Sequence, residues 1–435
     1  MSRTGAIAAR PPGPAFGAFV LAGASGAARR RLIVRNPTVR RIVAAGLVNG
    51  LGDRLTTVAL ATLVLALTGS VARTSLVYAA SAAPYVLFGV VAGALVDRWD
   101  RRASMVRADL ARAVLVLCLP LAAGVDAPLV YALVFAVTCA RMLFVPAQQA
   151  IVPELVAPDD LAGANSLVRA AQYATDMIGY PIAAGLVALL VERLGPVSGT
   201  GVAFGLDALS FLGSALILRR LPTPPGSTAA RRRSDGSLRW EVAAGLRFLL
   251  SNRYVRANSA LLTLAPLLLA SMNTLWIGFA WRVSHTDAFG FGVVNSAMAA
   301  GVLLGSWLIG RAAGRLNKGR LILGSLGLFG VAVMLASATA SLWLAALLAG
   351  VTGLANIGFL VPSVTLVQEQ TPSELRGRVL GVRLMLTYAA FALSNAAAGA
   401  LSERIGVQPL MLCVGAATIA MAVGAYALPS LREAN

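Results

Sequence analysis

The stretch Gly93-Ala-Leu-Val-Asp97-Arg98-Trp99-Asp100-Arg101-Arg102 closes one long apolar segment and precedes another. It places three guanidinium groups beside carboxylates in a connection only a few residues long. The chain around it has 435 residues, of which 58% are apolar and only 13% charged. A soluble protein carries about a quarter charged residues, so lipid is the expected solvent for most of this chain. The formal charge of +19 does not point to nucleic acid. The arginines sit in short turns between apolar runs and not on one soluble face. Cys118, Cys139 and Cys413 fall inside apolar runs and show neither a disulfide framework nor metal-ligand spacing. No metal and no cofactor is expected.

Working outward, segments of about 20 apolar residues follow one another, each long enough to cross roughly 30 Å of hydrocarbon. They cover 42–67, 74–96, 103–124, 127–150, 164–190 and 199–219, then 258–281, 288–311, 320–338, 340–363, 377–399 and 407–428. Basic residues concentrate in alternate connections: Arg98 to Arg107, Arg219 to Arg256, Arg311 to Arg320, and Arg376 with Arg378. By the positive-inside rule those connections and both termini face the cytoplasm. The abundance of Arg and Ala suggests a GC-rich bacterial gene, so a multi-pass protein of a bacterial inner membrane is expected.

Residues 1–41 read as a cytoplasmic tail, with a segment lying on the membrane surface as the alternative. Residues 42–219 form a first six-helix bundle and 258–428 a second, and 429–435 are a cytoplasmic C-terminal tail. Between the bundles, 220–257 is a linker that begins Leu221-Pro-Thr-Pro-Pro-Gly-Ser, a composition typical of spacers. Leu246, Phe248 and Leu249, set beside Arg239, Glu241 and Arg247, predict a short surface helix within it.

The bundles echo each other. Pro158-Asp-Asp-Leu161-Ala-Gly163 matches Pro372-Ser-Glu-Leu375-Arg-Gly377, each read as a helix start with an acidic cap. Gly310-Arg-Ala-Ala-Gly314-Arg315 echoes the opening stretch. Parallel repeats of this kind build one large class of transporters.

On these residues the chain resembles the major facilitator superfamily, an all-α integral membrane fold of about twelve transmembrane helices in two six-helix repeats. It is most similar to the branch of macrolide-efflux proteins and the enterobactin exporter. The superfamily's loop motif is matched at Gly93, Asp97, Arg98, Arg101 and Arg102, while Asp100 stands where it has a second glycine. Gly52-Asp53, the region from Pro146 to Asn165, and the region from Gln368 to Arg378 also resemble that branch. The resemblance implies a cavity lined by spans 1, 4, 7 and 10, a small-molecule cargo, a proton gradient as energy source, and a monomer in the bilayer. Asp97, at the cytoplasmic edge, is expected to sit at the positive N-terminal end of span 11 and latch the halves in the outward-facing state, on one side only because Gly314 stands at its counterpart; the alternative is that the arginines of this turn merely obey the positive-inside rule.

Ionisable groups at membrane depth are costly and mark candidate function. Asp53 and Arg54 lie in span 1, Arg141 in span 4, Asp176 in span 5 and Asp207 in span 6. Asp53 is expected to face Arg141 across the cavity, either as a proton-coupling pair or as a permanent structural ion pair. Asp176 and Asp207 are weaker candidates, since a carboxylate bonded to a neighbouring Ser or Asn reads the same way. Asn273 and Trp276 in span 7 are candidate cargo contacts, with an interfacial anchor the alternative for Trp276. Gly179-Tyr-Pro181-x-x-x-Gly185 resembles the helix-bending element of the superfamily's antiporters, and an ordinary packing site is the alternative.

The leading expectation is therefore proton-coupled efflux of a hydrophobic or amphipathic molecule such as a drug, antibiotic or siderophore. A lipid or lysolipid flippase on the same fold and a non-transporting sensor are the alternatives. Enzyme chemistry has no support, with one histidine and no catalytic motif. An ATP-driven pump would need a phosphate-binding loop that the chain lacks.

Overall fold

In a computed structural model, residues 36–123, 127–222, 247, 253–312 and 317–427 are described, apart from some side chains within them, notably those of 89–98. The expected tail and the surface helix near 240–250 lie outside the described residues.

Helix α1 (Pro37–Thr68) starts where Asn36 Oδ1 accepts the N–H groups of Thr38 at 3.0 Å and Val39 at 3.2 Å. Pro37 follows at the first helical position, where its missing donor costs nothing. Then come α2 (Val71–Arg98), α3 (Arg101–Ala123), α4 (Ala127–Leu155), α5 (Pro158–Leu194) and α6 (Pro196–Arg219). In the second half, α7 is laid out in three consecutive pieces: Arg253–Leu269, Ser271–Gly278 and a π-helical turn over Phe279–Val283. After it follow α8 (Asp287–Ala312), α9 (Lys318–Ser337), α10 (Leu342–Gln370), α11 (Ser373–Ile405) and α12 (Val407–Tyr426).

The packing scheme repeats with a shift of six helices. Contacts of α1 with α5 and α6, α2 with α4, and α3 with α4 and α6 recur as α7 with α11 and α12, α8 with α10, and α9 with α10 and α12. The α5–α6 and α11–α12 corners share one device. Gly195 and Gly406 adopt φ of +80° and +89°, and their N–H groups bond to the Val191 carbonyl at 2.8 Å and the Ser402 carbonyl at 3.1 Å. Positive φ there favours glycine.

Among the described residues, ten helices are long and apolar enough to cross a bilayer. Helix α3 is not among them, because Arg107, Asp109 and Arg112 interrupt its apolar run. Two of those three groups, Asp109 and Arg112, are among the most buried in the chain. The expected acidic caps of α5 and α11 are not formed: Ala157 and Pro372 hold the cap positions without a side-chain bond.

The halves meet along α2 with α11 and α5 with α8. Their described contacts gather at the end away from the basic connections. Glu403 of α11 accepts from Ser70 Oγ at 2.5 Å and from the Ala72 N–H at 3.1 Å, and Arg282 donates to the Gly69 carbonyl at 3.2 Å. At Gly399, a Cβ would run into Ser75 and come within 2.9 Å of the Ala72 Cα, so only glycine lets α11 lie this close on α2.

Candidate functional site

From the middle of the bundle to the basic end runs a cavity of about 690 Å³. The N-terminal half supplies its charged wall: Asp53 and Arg54 of α1, Arg112 of α3, Arg141 of α4 and Asp176 of α5. The C-terminal half supplies Gly381, Leu384, Met385 and Tyr388 of α11. At mid-depth Tyr85 of α2 and Tyr388 stack with ring centres 4.0 Å apart and planes within 7°. That pair joins the two halves where the cavity stops.

Asp53 is the hub. Arg112 donates to one carboxylate oxygen, and the Arg141 guanidinium stands 3.5 Å from the other. The expected partnership with Arg141 is therefore present, but as the looser of two. Arg112 is nearly sealed, with its side chain 2% exposed, whereas that of Arg141 is 42% exposed and reaches into the cavity. Arg112 also donates to Asn49 Oδ1 at 3.2 Å and lies 3.9 Å over the Phe211 ring. Asp109, one helical turn before Arg112, accepts from Asn49 Nδ2 at 2.9 Å. A buried ion pair persists in such surroundings only when its remaining groups are hydrogen-bonded too, and Asn49 bridges both sides.

Beside this cluster Arg54 pairs with Asp176 at 2.9 Å and donates to Tyr180 Oη at 3.0 Å. Asp176 thus lies on the cavity wall with a cation partner, not with a Ser or Asn. Asp207 lies on neither cavity described here and is fully buried. It accepts from Thr56 Oγ1 at 2.5 Å and Ser210 Oγ at 3.0 Å, so it is not placed to touch cargo.

Three sequence expectations are corrected. Trp276 is neither an interfacial anchor nor a cavity residue: it is 1% exposed inside the second half, edge-on to Phe279 at 5.8 Å. Asn273 also stays off the cavity and donates to the Ala270 carbonyl at 2.8 Å. Gly185 faces open space, while Gly179 is the packing glycine of its element, close against Arg54. Helix α5 runs on through Pro181.

In the opening stretch, Gly93, Asp97 and Arg98 fall in the last turns of α2 with their side chains outside the described residues. The same holds for Gly310, and Gly314 and Arg315 lie outside altogether, so the Asp97 latch is not observed. The rest of the stretch is visible. Asp100, where the superfamily motif has glycine, caps α3 by accepting the Ala103 N–H at 2.7 Å. Arg101 reaches the Ala150 carbonyl at 2.6 Å and Glu154 at 2.5 Å, and Arg102 reaches the Leu221 carbonyl at 2.9 Å. These arginines bind helix ends, where cations are favoured.

Sequence reasoning missed Arg112 and Asp109. Near a basic connection they read as loop charges, yet an acid and a base three apart inside an apolar span share one helix face. Among the described residues, no group of His, Cys, Asp and Glu is arranged to hold a metal ion.

A family model described as Transmembrane secretion effector matches residues 33–435. The multidrug efflux pump Tap of Mycolicibacterium fortuitum is 29% identical over 406 residues, covering 90% of this chain and 96% of the relative. Macrolide efflux protein A of Streptococcus pyogenes is 22% identical over 357 residues, covering 80% and 85%. Among solved structures, the nucleoside transporter NupG superposes with a TM-score of 0.74 at 15% identity, covering 90% of this chain and 98% of that one. A bacterial homologue of the lysosomal transporter Spinster, inward-facing and occupied, gives 0.72 at 15% identity, with 91% and 96% covered.

Proposed function

We propose that this chain, which belongs to the transmembrane secretion effector family of the major facilitator superfamily, exports a hydrophobic or amphipathic small molecule in exchange for protons by alternating access. The observation that carries this reading is the position of Asp53. It sits at the inner end of the cavity with one guanidinium locked beside it and a second, Arg141, free to move. By the positive-inside rule the open end faces the cytoplasm, which in this reading is an inward-open arrangement. The tool for opening outward is the face between α2 and α11.

The exchange follows from electrostatics. Ionised Asp53 draws Arg141 to the wall and leaves room for cargo. A proton on Asp53 removes that attraction. Arg141 then turns into the cavity, where its charge and bulk displace a cationic or apolar guest. Proton and cargo exclude each other, as antiport requires. The apolar and aromatic wall of α11 suits the drug-like cargo that the relatives' names imply. Asp176 with Arg54 serves as a second polar contact for cargo.

The test is export of a labelled macrolide and of a cationic dye from proteoliposomes, with and without a pH gradient. Wild type should export only with the gradient. Asp53→Asn, a permanent mimic of the protonated group, should bind cargo more weakly than wild type and give no gradient-driven export. Undiminished export by that variant removes Asp53 from the coupling role.

A further inference from the structure

Asp207 is used by none of the steps above, and its surroundings are unusual. It is 0% exposed, on α6, against α1 at Gly52, where a Cβ would collide with Asp207 itself. Its two hydrogen bonds come from neutral hydroxyls, and no described cation lies within ion-pair distance. The charged groups that face it are Asp53 of α1 and Arg112 of α3. Helix α5, which also packs on α6, brings none to it among the described residues.

Around Asp53 the charges do not balance. Asp53, Asp109 and Asp207 meet the guanidiniums of Arg112 and Arg141. Asp53 has both, and Asp109 stands 3.6 Å from Arg112. A buried, unpaired carboxylate is strongly disfavoured in the ionised form. Neutrality needs one proton, and Asp207 is the carboxyl without an ion pair.

A second cavity connects it to the exchange site. On the far side of Asp53 from the large cavity lies a second space of about 130 Å³. Asp53, Thr56, Tyr78 and Thr138 line it together with apolar side chains such as Leu60 and Leu119. At about 30 Å³ per water, it has room for roughly four waters. Thr56 therefore touches this space on one side and Asp207 on the other.

We propose that Asp207 is a second proton-binding carboxyl, exchanging its proton with Asp53 through the Thr56 hydroxyl and water in the small cavity. As part of the transport cycle this rests on the exporter reading above. The transfer balances. With the proton on Asp207 Oδ2 the 2.5 Å hydrogen bond to Thr56 runs the other way, and that proton passes to Thr56 Oγ1 as the threonine's own proton, now turned to the small cavity, passes to a water there. That water gives a proton to Asp53, so Asp53 becomes neutral, Asp207 becomes ionised, and threonine and water are restored. The cluster's total charge is unchanged, and Arg112, released by Asp53, faces the new carboxylate on α6. A change at the cavity wall is thereby carried to the helix behind it.

The test is infrared spectroscopy of the full chain in liposomes without cargo, following the carbonyl stretch of protonated carboxylic acids as pH is varied. At neutral pH the wild type should show one protonated carboxyl that Asp207→Asn removes and Asp207→Glu retains at a shifted frequency. In Thr56→Val that band should persist, shift, and exchange with deuterium at least tenfold more slowly. A neutral-pH spectrum unaltered in Asp207→Asn, or a wild-type exchange rate in Thr56→Val, overturns the proposal. Because no cargo is present, failure of gradient-driven export would sink the exporter reading and leave this result standing.

Discussion

Replacing Arg112 by methionine should be the most damaging single change in the charge cluster. Methionine matches the length of the arginine stem but supplies no charge and no donor. The variant leaves Asp53 with only the exposed Arg141 as an ion-pair partner, leaves Asp109 with neutral partners alone, and removes the cation above Phe211. Breaking one side of a buried ion pair costs about 3–5 kcal/mol, because the other charge remains buried. The lost contact with Phe211 adds about 0.5–2 kcal/mol, although neighbouring effects do not sum. Arg141→Ala removes a charge whose side chain is 42% exposed and 3.5 Å from its partner, so it should cost no more than about 1 kcal/mol. Thermal and denaturant unfolding of the full chain in detergent would rank the two. Adding Asp53→Asn to Arg112→Met should recover part of the loss, since the stranded carboxylate is then gone. If Arg141→Ala proves the more harmful, or if Asp53→Asn gives no relief, Arg112 is not the structural partner and the assignment fails.

Further outcomes can be measured separately. Gly399→Val places methyl groups against Ser75 and the Ala72 backbone; overpacking of about 1–3 kcal/mol should push the halves apart at the sealed end, seen as longer spin-label distances there. Tyr388→Ala removes the stack on Tyr85, worth about 0.5–1.5 kcal/mol, and should raise cargo-free proton leak in liposomes, whereas Tyr388→Phe should not. Glu403→Gln weakens the acceptor for Ser70 and Ala72 and should shift the same distances as Gly399→Val, by less. In the exporter reading, Asp53→Asn should flatten the pH profile of cargo exchange, because the group that takes up the proton is gone; a wild-type profile would contradict it.

The architecture was legible because lipid imposes a length on every span and arginine marks one side of the membrane. Asp53, Arg141 and Asp176 could be picked out because a charge in an apolar run has few structural excuses. Arg112 and Asp109 escaped because they lie close enough to a basic connection to pass for its residues. Helix α3 is nonetheless deep at that point, a matter of tilt and packing that composition does not encode. Trp276 misled for the reverse reason. An aromatic near a helix end matches the interfacial pattern, but the three-piece course of α7 turns it inward. Asp100 departs from the family motif and still serves locally, since an aspartate ahead of a helix is a good cap. The matched glycines Gly195 and Gly406 were in plain view; their equivalence becomes apparent only when the two corners are compared.

All five charged residues on the cavity wall belong to the first half, and the described part of the second half that faces them is apolar or aromatic. The two halves therefore descend from one plan but answer to different pressures. In the exporter reading, mutations in α11 at Leu384 or Met385 would reshape what the cavity accepts without disturbing the charged cluster opposite. A lineage exposed to a new toxic compound would be expected to adapt on that side first. For inhibitor design the same reading runs the other way: a compound anchored on the charged wall would meet the residues proposed to drive exchange, and resistance to it should be slow to arise.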